Sequence, residues 1–378
     1  MSTPSIFGQC DAAFHAVRDA FADNFSVNNE IGASVAVSIN GQLVVDLWGG
    51  EADLNGRPWE RDTIVDVFSV GKAMVALSLL VLVDRGQLDF GDPVSLHWPE
   101  FAVEGKGSVT VAQLLSHQAG IPGIRHPLVP GAMYDWDLMT TALANETPWW
   151  EPGTALGYHV NTLGFLGGEL VRRVSGKPFA EFFAREVSGP LGADFFFGLG
   201  PTQDARVADF QFPSLASFSA PEHNGDDSTY IYANPPGASG IGTVNTRAWR
   251  AAVHPSTNGH SNARAIARIY GLLAGGGSLD GVRLLDPTTL ITATSELSVG
   301  HDRVLDRKSR FGFGFQLTMP ERPLGPGLAS FGHYGAGGSL GMADPDTRIA
   351  FGYCMNRFGL RWQDPRNRAL LSATYACL

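Results

Sequence analysis

The sequence predicts an α+β fold in which the two ends of the chain build one antiparallel sheet and the middle supplies a mainly helical lobe. Three observations carry this. Two strand-like runs near the start, 33–39 and 42–49, are joined by Asn40-Gly41, a dipeptide suited to a two-residue hairpin turn. Strand-like runs return near the end, at 311–319, 331–343 and 348–356. Between about 110 and 275 the apolar spacing is helical, broken by loops rich in Pro, Gly and Trp. Strands and helices are segregated along the chain, which favours α+β over an alternating parallel sheet.

The elements follow in order. Phe14, Val17, Phe21 and Phe25 are spaced to line one face of a first helix. After the hairpin, the apolar run 63–69 leads into KAMVALSLLVLVDRG, a helical stretch that Gly86 closes. Further helices are expected at 110–117, 162–176, 179–187 and 262–277, with a closing helix at 365–377. The interleaving predicts one lobe from about 1–70 plus 280–378 and a second from about 71–279, with the chemistry in the cleft between them.

Composition narrows the function. Of 378 residues, 44% are hydrophobic and 17% charged, a globular balance in a chain long enough to bury a large core. A net charge of −10 argues against a phosphate-tracking surface, so nucleic acid is not an expected partner. The longest apolar run, 74–83, is too short to span a bilayer. The first residues lack a basic start followed by an apolar core, so no secretory signal is expected. Cys10, Cys354 and Cys377 are too scattered for a disulfide framework. A cytoplasmic protein without cofactor or membrane contact is the expectation.

Two serines compete as nucleophile. Gly337-Gly338-Ser339-Leu340-Gly341 fits G-x-S-x-G, but that elbow needs a following helix and a downstream histidine. The chain after Ser339 has no histidine and turns at once through Asp344-Pro345-Asp346. Ser339 is therefore read as structural. Ser69-Val70-Gly71-Lys72 is an S-x-x-K at the junction of a strand-like run and a long apolar helix. Residues i and i+3 share a helix face, so hydroxyl and amine would be neighbours. A serine hydroxyl needs a base, and a lysine serves only when neutral. An apolar surround and the positive end of the helix dipole both lower a lysine's pKa. The alternative is that Ser69 caps the helix and Lys72 is solvated. There are only four lysines, Lys72, Lys106, Lys177 and Lys308, so this placement is informative.

The stretches FSVGKAMVALSLLVLVDRGQLDFGDPVSLHWPEF, VTVAQLLSHQAGIPG, GYHVNTLGFLGGELVRRVSG, NGHSNARAIARIYGLLAGGG and FGHYGAGGSLGMADP together resemble the serine β-lactamase and penicillin-binding-protein family. They are most similar to its family VIII carboxylesterases, over nearly the whole chain. The resemblance implies the β-lactamase/DD-peptidase-like fold and a serine esterase acting on small acyl esters. It makes Ser69 the nucleophile, Lys72 its base, and Tyr158 the group that shares the base role and returns the proton to the leaving alkoxide. His333-Tyr334-Gly335 falls where β-lactamases carry Lys-Thr-Gly, so His333 and Gly335 would border the substrate. The N–H groups of Ser69 and Ala336 would form the oxyanion hole.

Two departures accompany it. Val160 stands where many β-lactamases have the asparagine of Tyr-x-Asn, and His333 where they have the lysine that helps hold a substrate carboxylate. Both suit a neutral ester better than an anionic β-lactam, leaving room for a weak side activity on cephalosporins. His159 could line the cleft or form a supporting hydrogen bond, and Trp149-Trp150 could wall an acyl or alcohol pocket or pack in the core. His117 is read as structural at a helix end. No H-E-x-x-H or Cys/His cluster suggests a metal. An acyltransferase, an amidase or peptidase, and a non-catalytic binding or filament-forming relative are the alternative readings.

Overall fold

The computed structural model of the chain describes residues 4–213 and 227–378. The N-terminal end supplies strands β1 (Ile6–Cys10), β2 (Gly32–Ile39) and β3 (Gln42–Gly50). The C-terminal part supplies β4 (Ser298–Asp302), β5 (Arg307–Phe311), β6 (Gln316–Leu317), β7 (Phe331–Tyr334), β8 (Leu340–Asp344) and β9 (Ile349–Met355). They form one nine-stranded sheet in the order β1-β3-β2-β9-β8-β7-β6-β5-β4. All its pairs are antiparallel, and the two ends of the chain meet where β2 pairs with β9, from Ile39 opposite Ile349 to Ala33 opposite Met355. Asn40 and Gly41 take φ of 51° and 77°, the left-handed pair that a tight hairpin requires.

The helices that matter here are α1 (His15–Val27), α2 (Val70–Asp84), α3 (Thr162–Ser175), α4 (Ala263–Ala274) and α5 (Pro365–Ala376). Helix α2 is apolar on every side, and Val70 through Leu82 are all buried. It lies between the sheet and the helical lobe, packed against α3 and β7. Both functional ends of the S-x-x-K motif are thereby carried into the interior. Helices α1 and α5 pack on each other. Helix α4, expected within the middle lobe, lies on β2, β8 and β9. Gly352 of β9 permits this, since a Cβ there would strike the Ala263 carbonyl.

Three local differences have physical causes. The run 63–69 was expected to be one strand. Only Val65–Asp66 forms a strand, in a small sheet with His260–Ser261 and Phe195–Phe196, and Ile64 adds a single bridge to Val207, because Phe68 turns left-handed at φ 46°. The run 311–319 breaks into β5 and β6 at a turn containing Gly314, φ 74°. Strands β1, β4 and most of β5 were not anticipated. SVGHD and RKSRF are polar at the sheet edge and lack an apolar alternation. Among the described residues, no helix is long and apolar enough to cross a membrane.

Candidate active site

The path into the site begins at Asp66. Its Oδ1 accepts the Phe68 N–H at 2.7 Å and its Oδ2 the Trp249 Nε1–H at 2.7 Å. Burial pushes this carboxyl up to about 8, with the Trp249 hydrogen bond pulling the other way. Those two bonds and the edge-on rings of Phe210 (5.1 Å) and Phe358 (5.7 Å) hold Phe68 in its left-handed conformation. The next residue, Ser69, then enters helical geometry at the N-terminus of α2, with φ −68°. Its hydroxyl makes no capping hydrogen bond, so the reading of Ser69 as a helix cap is set aside.

Lys72 Nζ lies 3.1 Å from Ser69 Oγ, 2.7 Å from the Val160 carbonyl and 3.0 Å from the Ser256 carbonyl. The side chain is wholly buried, and burial holds the amine well below its ordinary pKa. A neutral amine has two N–H groups and one lone pair. Nζ thus faces three oxygens, the Val160 and Ser256 carbonyls and the Ser69 hydroxyl. The Val160 that replaces an expected asparagine therefore still contributes, through its backbone.

Tyr158 completes the triangle. Lys72 Nζ sits 4.9 Å from its ring centroid. Burial raises the phenol above its ordinary value, and the nearby Ser69 hydroxyl only partly offsets this. Tyr158 is a neutral phenol whose Oη, with the Ser69 hydroxyl nearby, meets no other hydrogen-bond partner among the described residues. Its backbone N–H is held at 2.9 Å by Asp302 Oδ1, which also accepts from Val304 and Leu305. Its ring packs against His117 (4.7 Å), Trp362 (5.2 Å), Phe311 (6.0 Å) and His333 (6.1 Å).

The histidines separate by hydrogen bonding. His159 Nδ1 donates to the Gly157 carbonyl at 2.7 Å, and Nε2 accepts the Ile121 N–H at 3.1 Å. Both nitrogens are occupied and burial lowers its pKa to about 4, so His159 is a fixed support. His333 uses Nδ1 on the Tyr334 carbonyl at 2.7 Å, leaving Nε2 buried without a partner among the described residues. Burial lowers its pKa to about 3. His117 accepts the His159 N–H at Nδ1, 3.0 Å away, and sits at φ 66° with its ring against Tyr158. Its structural reading thus acquires a specific object, the face of Tyr158.

The glycine-rich turn after β7 answers the question of Ser339. Its hydroxyl donates to the Val67 carbonyl at 2.9 Å, and its own carbonyl accepts the Gly335 N–H at 2.8 Å. A Cβ on Gly335 would collide with Ser339 Oγ and the Val67 carbonyl. Ser339 is buried and ties the β7–β8 turn to the segment leading into Ser69. Among the described residues, neither the Ser69 nor the Ala336 N–H donates to a protein acceptor. Trp150 joins Tyr158, Leu156, Ile231, Val304 and Phe311 in a compact apolar cluster. Trp149 lies at its margin, donating from Nε1 to Glu146 at 2.9 Å under the Arg125 guanidinium.

Asp302 and Trp362 were not foreseen. Asp302 acts on Tyr158 across 144 residues of sequence, and no local pattern announces such a link. No group of three His, Cys, Asp or Glu among the described residues is arranged to hold a metal ion.

Comparison with known proteins places the fold. A model of the β-lactamase family matches residues 19–375. The crystal structure of a family VIII carboxylesterase is 42% identical and superposes with a TM-score of 0.93, covering 99% of this chain and 100% of that one. A penicillin-binding-protein homologue from Caulobacter crescentus is 38% identical with a TM-score of 0.91, over 99% of this chain and 100% of that one. The esterase/β-lactamase LipL of Mycobacterium tuberculosis (strain ATCC 25618 / H37Rv) is 36% identical over 371 residues, 93% of this chain and 83% of LipL.

Proposed function

Because the chain belongs to the β-lactamase family and is a serine hydrolase of its esterase kind, we propose that it hydrolyses short-chain acyl esters through an acyl-enzyme on Ser69. The observation that carries this reading is the wholly buried Lys72, whose Nζ lies 3.1 Å from Ser69 Oγ and is held by the Val160 and Ser256 carbonyls.

In this mechanism Ser69 Oγ attacks the ester carbonyl carbon while its proton passes to Lys72 Nζ. The carbonyl electron pair moves onto oxygen, where the N–H groups of Ser69 and Ala336 receive it. Collapse expels the alkoxide, which takes the Tyr158 proton as the Lys72 ammonium reprotonates Tyr158. The neutral phenol expected from burial is the right form for that donation. Water then attacks the acyl carbonyl by the same route in reverse and frees the acid.

Gly335 lets substrate approach the β7 backbone, and neutral His333 borders it without placing a cation there. That favours an uncharged reacting end and only slow opening of cephalosporin-type β-lactams. Trp150, with Trp149 at its margin, walls the acyl side, and His159 holds the loop that presents Tyr158. Mixing the enzyme with p-nitrophenyl butyrate, quenching and mapping peptides tests the reading. A butyryl group on Ser69 is expected. Butyryl on another residue, or full turnover by Ser69→Ala, overturns it.

A further inference from the structure

Asp66 is a buried acid that the mechanism does not use, yet its two oxygens are bonded to the supports of both groups that the mechanism joins. Oδ1 holds the Phe68 N–H and Oδ2 the Trp249 Nε1–H, each at 2.7 Å. What lies beyond each bond differs.

Beyond the first lies the nucleophile. Phe68 immediately precedes Ser69, and its φ of 46° is a costly conformation for a bulky side chain. Val67 is tied down through its backbone, its N–H donating to the Gly259 carbonyl at 2.8 Å and its carbonyl accepting the Ser339 hydroxyl at 2.9 Å. The Phe68 N–H has only Asp66 among the described residues. The direction in which Ser69 leaves this turn, and with it the aim of its hydroxyl and N–H, depends on that bond.

Beyond the second lies the base. Trp249 belongs to the short helix Arg247–Ala251. Its carbonyl accepts from Asn258 Nδ2 at 3.0 Å, and Asn258 Oδ1 accepts the His254 N–H at 2.8 Å, which closes the loop 254–258. That loop presents the Ser256 carbonyl to Lys72 Nζ at 3.0 Å. The Trp249 ring also lies against His254, with 5.7 Å between centroids.

The residue type fits two donors. A carboxylate accepts at both oxygens, whereas an asparagine has one acceptor and would turn its own N–H groups toward the Trp249 N–H. Burial works against the carboxylate. His260, its cross-strand partner, and His254 supply no counter-charge, since burial lowers both to about 3. Arg250 favours the charge, from a guanidinium already paired with Asp204 and Asp209.

We propose that Asp66 is a positioning residue that sets Ser69 against Lys72, holding the turn of the nucleophile with one oxygen and the support of the base with the other. It acts through Phe68 and Trp249, and the inference rests on the acyl-enzyme reading of Ser69.

Asp66→Asn, measured per folded molecule, tests this. Single-turnover acylation by p-nitrophenyl butyrate and fluorophosphonate labelling of Ser69 should both slow by about tenfold to a hundredfold, the scale of a misplacement of up to about 1 Å, with KM little changed. Phe68→Gly supplies the discriminating background. Glycine enters the left-handed region freely, so the turn no longer needs its hold, and Asp66→Asn should slow acylation less there than in the native background. Phe68→Asn, which also tolerates that conformation, serves where Phe68→Gly does not fold. Unchanged acylation in folded Asp66→Asn, with only stability lowered, overturns the proposal. So does an equal loss in both backgrounds. No adduct on Ser69 of the native protein would instead overturn the ester reading, and this inference with it.

Discussion

Lys72 and Arg366 are both buried basic side chains, and they are treated in opposite ways. Lys72 meets two carbonyls and a hydroxyl, with no carboxylate. Arg366, in the first turn of α5, meets Glu30 at 2.8 Å, both oxygens of Asp364 at 2.6 and 3.1 Å, and the carbonyls of Gly337 and Arg357. Burial opposes charge on both. At Arg366 the Glu30 and Asp364 carboxylates outweigh it and hold the guanidinium above its ordinary value. At Lys72 nothing outweighs it, and burial holds the amine well below its ordinary pKa. The difference teaches what each is for. A paired, permanently charged arginine fixes the backbone, here the glycine turn that follows Ala336. In the proposed mechanism the unpaired lysine in an apolar helix is the base.

The largest expected effect comes from breaking the paired cation. Arg366→Met leaves Glu30 buried without its counter-charge and should cost about 3–5 kcal/mol in chemical denaturation. A loss near zero would mean the network does not hold the turn. Removing Lys72 should instead strike activity. Lys72→Ala is expected to slow single-turnover acylation by more than about a hundredfold. Near-normal acylation would return the base role to another group.

The two cations should also differ in pH response. The unfolded chain binds a proton at Lys72 that the folded protein refuses between its depressed pKa and 10.5. Stability therefore rises with pH across that window, by up to about 1.4 kcal/mol per pH unit. Lys72→Met should lose this rise, as denaturation at mildly acidic and mildly alkaline pH would reveal. The smallest effect belongs to Ser339. Losing its hydrogen bond to the Val67 carbonyl in Ser339→Ala should cost about 1 kcal/mol and leave Ser69 reactive toward a fluorophosphonate.

Much of this was legible in the sequence where the signal is local. The Asn40-Gly41 hairpin, the apolar α2 and the i, i+3 pairing of Ser69 with Lys72 each depend on a few adjacent residues. The absence of a histidine after Ser339 was enough to read that serine as structural. What stayed hidden acts over long separations or through the backbone. Val160 and Ser256 reach Lys72 through carbonyls, which no side-chain pattern reveals. Asp302 reaches Tyr158 from an edge strand whose polar sequence does not announce a strand. Phe68 adopts a conformation that bulky residues seldom take, and only its packing and Asp66 explain why.

The rate at which a fluorophosphonate labels Ser69, followed from mildly acidic to alkaline pH with the adduct mapped by mass, tests the central claim most directly. A neutral Lys72 predicts a single adduct on Ser69. Its rate should fall on the acid side and level off well below the ordinary lysine pKa. An adduct elsewhere, or a rate that keeps climbing to that ordinary value, would contradict the account.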